Sequence, residues 1–151
     1  MCPDNGLGEA PLSSLERLEV EVACERLTRL YCAAADAHDL DLFLSIFDPA
    51  ASWERAAGKL IGHEEIARYF AQRPRDEFTC HVVSNVLITA TSATTATGRS
   101  VATVYRSKGA RTGIASLRPS SIVEYSDEYR RSASGVWKIS ARSSRTILRE
   151  A

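Results

Sequence analysis

A chain of 151 residues, 44% hydrophobic and 25% charged, fits one domain with a core of its own; at that size folding buries about 70% of the surface the unfolded chain exposes. Lys+Arg and Asp+Glu both total 19, so no bulk charge draws nucleic acid, and no apolar run approaches a membrane span of roughly 20 residues. The opening MCPDNGLGEAP lacks a charged segment followed by an apolar one, so no export signal is expected and a cytoplasmic location is the expectation.

Charge is nonetheless unevenly spread. Residues 1–97 hold 8 basic and 15 acidic side chains, whereas 98–151 hold 11 basic and 4 acidic. Such asymmetry fits either the solvent faces of late strands or a surface for an anion. The cysteines, at 2, 24, 32 and 80, form no C-x-x-C pair. Cys24 and Cys32 would lie about 12 Å apart along one helix, too far to bridge.

In chain order, Pro3, Gly6, Gly8 and Pro11 mark residues 1–12 as a mobile tail ahead of a domain over 13–148. Ser13-Ser14-Leu15-Glu16 reads as a capping box. From there to about Ala35, Val20, Ala23, Leu27, Leu30, Tyr31 and Ala34 follow a helical stripe. Asp39 caps a short helix over 40–46, which Asp48-Pro49 ends. A strand with Trp53 is expected over 51–56, its hairpin return over 59–62, and a third helix over 63–72. Four segments rich in Val, Ile, Thr and Tyr then read as strands: 79–91, 94–106, 115–129 and 136–147. Turn signals stand at Thr97-Gly98, Lys108-Gly109 and Ser134-Gly135. Helices first and strands last predict an α+β fold with helices on one side of an antiparallel sheet. On 80–90, strict alternation places His81, Val83, Asn85 and Leu87 on one face and Cys80, Val82, Ser84, Val86 and Ile88 on the other. Both faces are apolar, so one is expected to meet the helices and the other a second copy of the chain.

Nucleotide loops, H-E-x-x-H and G-x-S-x-G are absent, and the histidines at 38, 63 and 81 have no metal-ligand spacing. Neither a cofactor nor a metal is expected, and any chemistry falls to side chains. Asp36 lies beyond a helix end, where the macrodipole disfavours a carboxylate and Asp39 already serves as cap for the next helix. Tyr31, five residues earlier, lies about 140° away in azimuth, so unwinding after Ala34 would be needed to bring both to one cavity. His81, if it faces the helices, would be held by Asp36, with Asn85 deeper in the same cavity. Tyr125, Asp127 and Tyr129 share a strand face, and Arg142 alternates away from Trp137 and Ile139 unless a bulge intervenes.

The ordered set Tyr31-x4-Asp36, Asp39-Leu-Asp-Leu-Phe, Trp53, Gly62, Arg68-Tyr-Phe, His81-Val-Val-Ser-Asn85, Tyr125-x-Asp127-x-Tyr129 and Trp137-Lys-Ile-x-x-Arg142 resembles the SnoaL-like branch of the nuclear-transport-factor-2 superfamily. The resemblance, closest to its bile-acid and scytalone dehydratases, implies a cone: a curved sheet around a helix, with an apolar pocket at one end. It further implies an acid–base dehydratase or isomerase for a small hydrophobic carbonyl or hydroxy compound (steroid, polyketide, terpenoid or aromatic). Tyr31, Asp36 and His81 would be catalytic, with Trp53, Asn85, Tyr125, Asp127 and Arg142 contacting the substrate. A homodimer or homotrimer is also implied. Alternatives are a polyketide cyclase using the same residues for an aldol closure, and a non-catalytic ligand-binding or assembly module. The loop over 107–118 is more basic than a wall around an apolar substrate would require.

Overall fold

In the computed structural model, which describes residues 11–109 and 119–150, the first helix starts where its end groups are satisfied reciprocally. The Glu16 N–H donates to Ser13 Oγ at 3.2 Å, and the Ser13 N–H donates to Glu16 Oε2 at 2.8 Å. Helix α1 spans Ser14–Ala37 and buries Val20, Cys24, Leu27, Thr28, Tyr31, Ala34 and Ala35, steps of three and four residues that form one stripe. It stays regular through Ala37, so the unwinding considered after Ala34 does not occur, and it closes on His38 in the left-handed region at φ 54°. Asp39 then caps α2 (Leu40–Ser45) by accepting from the Leu42 N–H at 2.9 Å.

Strand β1 (Phe47–Arg55) begins four residues earlier than expected and runs through Asp48-Pro49. Between Phe47 and Ser52 its pairing with the last strand is interrupted, so the missing N–H of Pro49 costs no ladder bond. The hairpin return is β2 (Gly58–Ile61), and α3 follows over Gly62–Ala71 with Ile66 and Phe70 buried. The long strands are β3 (Glu77–Ala90), β4 (Thr95–Lys108), β5 (Pro119–Arg131) and β6 (Trp137–Arg149). The expected loop at 107–118 and tail at 1–12 fall largely outside the described residues.

One six-stranded sheet results, ordered β2-β1-β6-β5-β4-β3, with every neighbouring pair antiparallel except β1 and β6. Helix α1 packs chiefly on β3 and also meets β4 and β6, while α3 covers β1. The α+β class is therefore the observed one. The core between helices and sheet holds Phe43, Ile46, Phe47, Trp53, Ile66, Val104 and Ile139, each nearly or fully buried; burial of such side chains contributes about 1.5–3 kcal/mol apiece.

Gly98, expected in a turn, lies instead inside β4 opposite Ile88 and Asp127. A Cβ there would stand 2.6 Å from Ile88 Cδ1 and 2.9 Å from Tyr129 Cε2, so this glycine is a close-packing position. The actual β3–β4 turn is at 91–94, where the Thr91 and Ser92 N–H groups donate to Thr95 O.

Bulges set which side chains reach the core. In β3 the pairing slips by one residue between Ser84 and Leu87, and Asn85 takes φ 50°. His81 and Val83 face inward before the slip, and Ile88 and Ala90 after it. Strict alternation therefore fails. Asn85 and Leu87 turn outward and are exposed, while Ile88 turns in. A second slip between Glu128 and Tyr129 places an extra residue at Ser140 of β6, so that Ile139 and Arg142 are both buried.

Candidate active site

The last turn of α1 directs Asp36 at β3. Its Oδ1 lies 2.6 Å from His81 Nδ1 and accepts from the Thr79 hydroxyl at 2.7 Å, while Oδ2 accepts from the His81 N–H at 2.8 Å. Thr79 and His81 are two residues apart on β3 and so share a face. Arg73, just beyond α3, donates from Nη1 to Ala35 O at 2.7 Å and from Nη2 to Thr79 Oγ1 at 3.2 Å. The hydroxyl hydrogen of Thr79 is thereby left to point at Asp36. Burial works to raise the Asp36 pKa, but the hydrogen bonds from the His81 side chain, the His81 N–H and Thr79 outweigh it and hold the carboxyl below its usual range. An ionised carboxylate only accepts, so the proton in the Asp36–His81 bond belongs to Nδ1. In the neutral imidazole Nε2 is then the nitrogen with the lone pair, and it has no hydrogen-bond partner among the described residues.

The His81 ring forms part of the wall of a cavity of about 250 Å³ between the helices and the concave side of the sheet. Tyr31 and Ala35 of α1, Phe43 of α2, Trp53 and Arg55 of β1, and Tyr69 and Phe70 of α3 line it. Arg73 beyond α3, and Val104, Arg106, Val123, Tyr125, Ser144 and Thr146 of the later strands, also line it. Tyr31 packs its ring against Phe43, Trp53 and Tyr125 at centroid distances of 5.1, 5.8 and 5.4 Å. The Trp53 indole N–H donates to Ser144 Oγ at 2.7 Å, which fixes the indole plane. Burial pushes the Tyr31 pKa up to about 12 against the opposing charge of Arg142. Its phenol therefore stays protonated and is a donor at neutral pH.

Behind Tyr31 and Tyr125 lies a fully buried ion pair. Arg142 donates through Nε to Asp127 Oδ1 and through Nη2 to Oδ2, both at 2.7 Å. The same Oδ2 accepts from the Tyr129 hydroxyl at 3.0 Å, so Thr28 supplies the hydrogen in its own 2.7 Å bond to Tyr129. The Arg142 guanidinium carbon stands 3.9 Å from the Tyr31 ring centre and 4.6 Å from that of Tyr125. Burial opposes the Arg142 charge, yet Asp127 prevails and raises its pKa.

Among the eight expected site residues, Asp36 and His81 are brought into direct contact, and Tyr31, Trp53 and Tyr125 share the cavity with His81. Asp127 and Arg142 bind each other beneath its aromatic wall and do not line it. Asn85 does not line it either, being exposed at the bulge of β3. Thr79, Arg73 and Arg55 were not anticipated. Period-two spacing from His81 and Trp53 points to Thr79 and Arg55, but Arg73 sits in a connection where the sequence carries no such signal. Among the described residues, no group of three or more His, Cys, Asp and Glu could hold a metal, and no helix is long and apolar enough to cross a membrane.

Solved structures share this architecture. A hexachlorocyclohexane dehydrochlorinase of the LinA type from Novosphingobium barchaimii superposes with a TM-score of 0.75 at 20% identity, over 91% of this chain and 93% of that one. A candidate scytalone dehydratase from Novosphingobium aromaticivorans gives 0.73 at 22% identity, over 90% and 89%. A candidate dehydratase of the NTF2-like family from Streptomyces avermitilis gives 0.70 at 17%, over 86% and 97%. At these identities the likeness is one of fold. A search of curated protein sequences returned no match. The model of the SnoaL-like domain matches residues 16–143, most of the chain, and the protein belongs to that family.

Proposed function

We propose that this protein is a cofactor-independent lyase that removes water from, or isomerises, a small hydrophobic carbonyl or hydroxy compound. The observation that carries this reading is the 2.6 Å contact between Asp36 and an imidazole in the wall of an aromatic cavity. Asp36 holds the Nδ1–H tautomer and would stabilise the imidazolium, leaving Nε2 to take the proton beside a carbonyl. As that C–H bond breaks, its electron pair forms the new double bond and the C–O bond to the leaving hydroxyl opens. Tyr31, protonated at neutral pH, either hydrogen-bonds the carbonyl oxygen while the departing hydroxyl takes the proton that His81 removed, or gives the hydroxyl its own proton and regains one from the His81 imidazolium; in both cases water leaves. Arg142, with its charge against the Tyr31 ring, and Asp127 act as positioning residues. Trp53 and Tyr125 hold the apolar body of the substrate. The dehydratase and dehydrochlorinase names of similar structures are consistent with this class of elimination.

The test is turnover on a panel of apolar β-hydroxy ketones, followed by the absorbance of the conjugated product. His81→Ala and Asp36→Asn are each expected to lower the rate about a hundredfold or more. Unchanged rates in both would remove the dyad from the chemistry. Ring closure without loss of water would instead favour a cyclase.

We also infer a homo-oligomer. Val82 and Leu87, 53% and 71% exposed on the outer side of β3, supply the apolar surface that supports it.

A further inference from the structure

The cavity is aromatic, yet its charged lining has one sign. Arg55, Arg73 and Arg106 line it, and among the described residues no Asp or Glu does. Arg106 is neutralised by an ion pair with Glu77. Arg55 and Arg73 have no carboxylate partner among the described residues. The hydrogen bonds of Arg73 go to the neutral acceptors Ala35 O and Thr79 Oγ1. Arg55 lies with its guanidinium carbon 3.9 Å from the Tyr69 ring centre and 5.4 Å from that of Trp53, and its Nε is buried with no hydrogen-bond partner among the described residues. A buried guanidinium donor without an acceptor is costly, and ring faces satisfy its charge without accepting its N–H hydrogens in line. A planar carboxylate meets the guanidinium fork with two parallel bonds.

The geometry points to a substrate that carries a carboxylate on its apolar body, with Arg55, assisted by Arg73, as the subsite that receives it. This rests on the reading of the cavity as the substrate site and adds the chemical class to it. The carboxylate sits at the Arg55 side of the cavity while the hydrocarbon lies against Trp53, Tyr69 and Phe43. Arg73 holds Ala35 and Thr79 beside Asp36, so anion binding and the dyad share a neighbour.

Calorimetric titration of the whole protein with 2-naphthoate, its neutral isostere 2-naphthamide, and 2-naphthyl phosphate tests the assignment. The carboxylate is expected to bind about tenfold or more tightly than the amide, since a charged hydrogen-bonded pair is at stake, and to weaken as salt is raised. Arg55→Gln is expected to abolish that preference while leaving the amide within about twofold, and Arg55→Lys to keep part of it. Equal binding of naphthoate and naphthamide to the wild type overturns the proposal. So does a preference that survives in both Arg55→Gln and Arg73→Gln with folding verified by circular dichroism. Tighter binding of the phosphate than of the carboxylate overturns the carboxylate assignment. His81→Ala separates the two readings, because it is expected to keep the preference. Turnover without a carboxylate preference would sink only this inference, and a preference without turnover would sink only the acid–base one.

Discussion

Asp36 sits in the last turn of a helix, where the backbone dipole is unfavourable to a negative charge, and three donors from β3 reverse that local preference. Its folded pKa is lowered, so its contribution to stability is complete above the unfolded carboxyl value and is lost as pH falls through the folded one. Asp36→Asn is therefore expected to be less stable than the wild type in urea at pH 7, with the gap closing below the ordinary carboxyl range. A gap that stays constant down to pH 2 would mean the carboxylate is not stabilised by these bonds. At Asp127, removal of the carboxylate strands a buried guanidinium. Asp127→Ala is expected to cost about 3–5 kcal/mol, read from equilibrium unfolding, and a cost near zero would contradict the buried pairing. At this scale the sequence was partly legible. Asp36 and His81 stood out as a carboxylate without a capping task and a histidine on an apolar strand. Arg142 and Asp127 were both singled out for substrate contact, but their mutual bidentate pairing crosses two strands and depends on a register that no local pattern displays.

At the level of elements, the bulges decide which side chains the helices see. Asn85 occupies the extra position in β3 with a left-handed φ of 50°, a region where Asn and Gly are tolerated and β-branched residues are not. Asn85→Gly is expected to be near neutral, whereas Asn85→Val should lose about 1–2 kcal/mol by denaturant titration. Equal stability of the two variants would contradict the strained backbone. The alternation of His81, Val83, Asn85 and Leu87 reads in sequence as one continuous face; one inserted residue turns the second half outward. The same device at Ser140 brings Arg142 inward. Helix boundaries were more readable, because the Ser13–Glu16 box and the Asp39 cap are local motifs whose partners lie three residues away. The start of β1 was hidden because Asp48-Pro49 ordinarily ends an element, and here the proline falls in an unpaired stretch of strand.

For the molecule as a whole, an order of helices followed by long strands was enough to specify an α+β arrangement, since the sheet can bury one face only by receiving the helices on it. The cavity is what the helices leave unfilled against that face, and its size was not legible because it depends on how Phe43, Trp53, Tyr69 and Phe70 meet from three separate elements. On the opposite side, association of copies through the outer face of β3 predicts that Leu87→Glu shifts sedimentation toward a smaller species. A wild-type protein that sediments as a monomer would contradict that association. Removal of a carbon-bound proton by His81 is the step on which the proposed chemistry turns. Its direct measure is exchange of the α-protons of an apolar cyclic ketone lacking a leaving hydroxyl, followed by proton NMR in deuterium oxide. The wild type is expected to accelerate exchange over buffer and His81→Ala to lose about a hundredfold of that acceleration; exchange that proceeds equally fast in His81→Ala would contradict it.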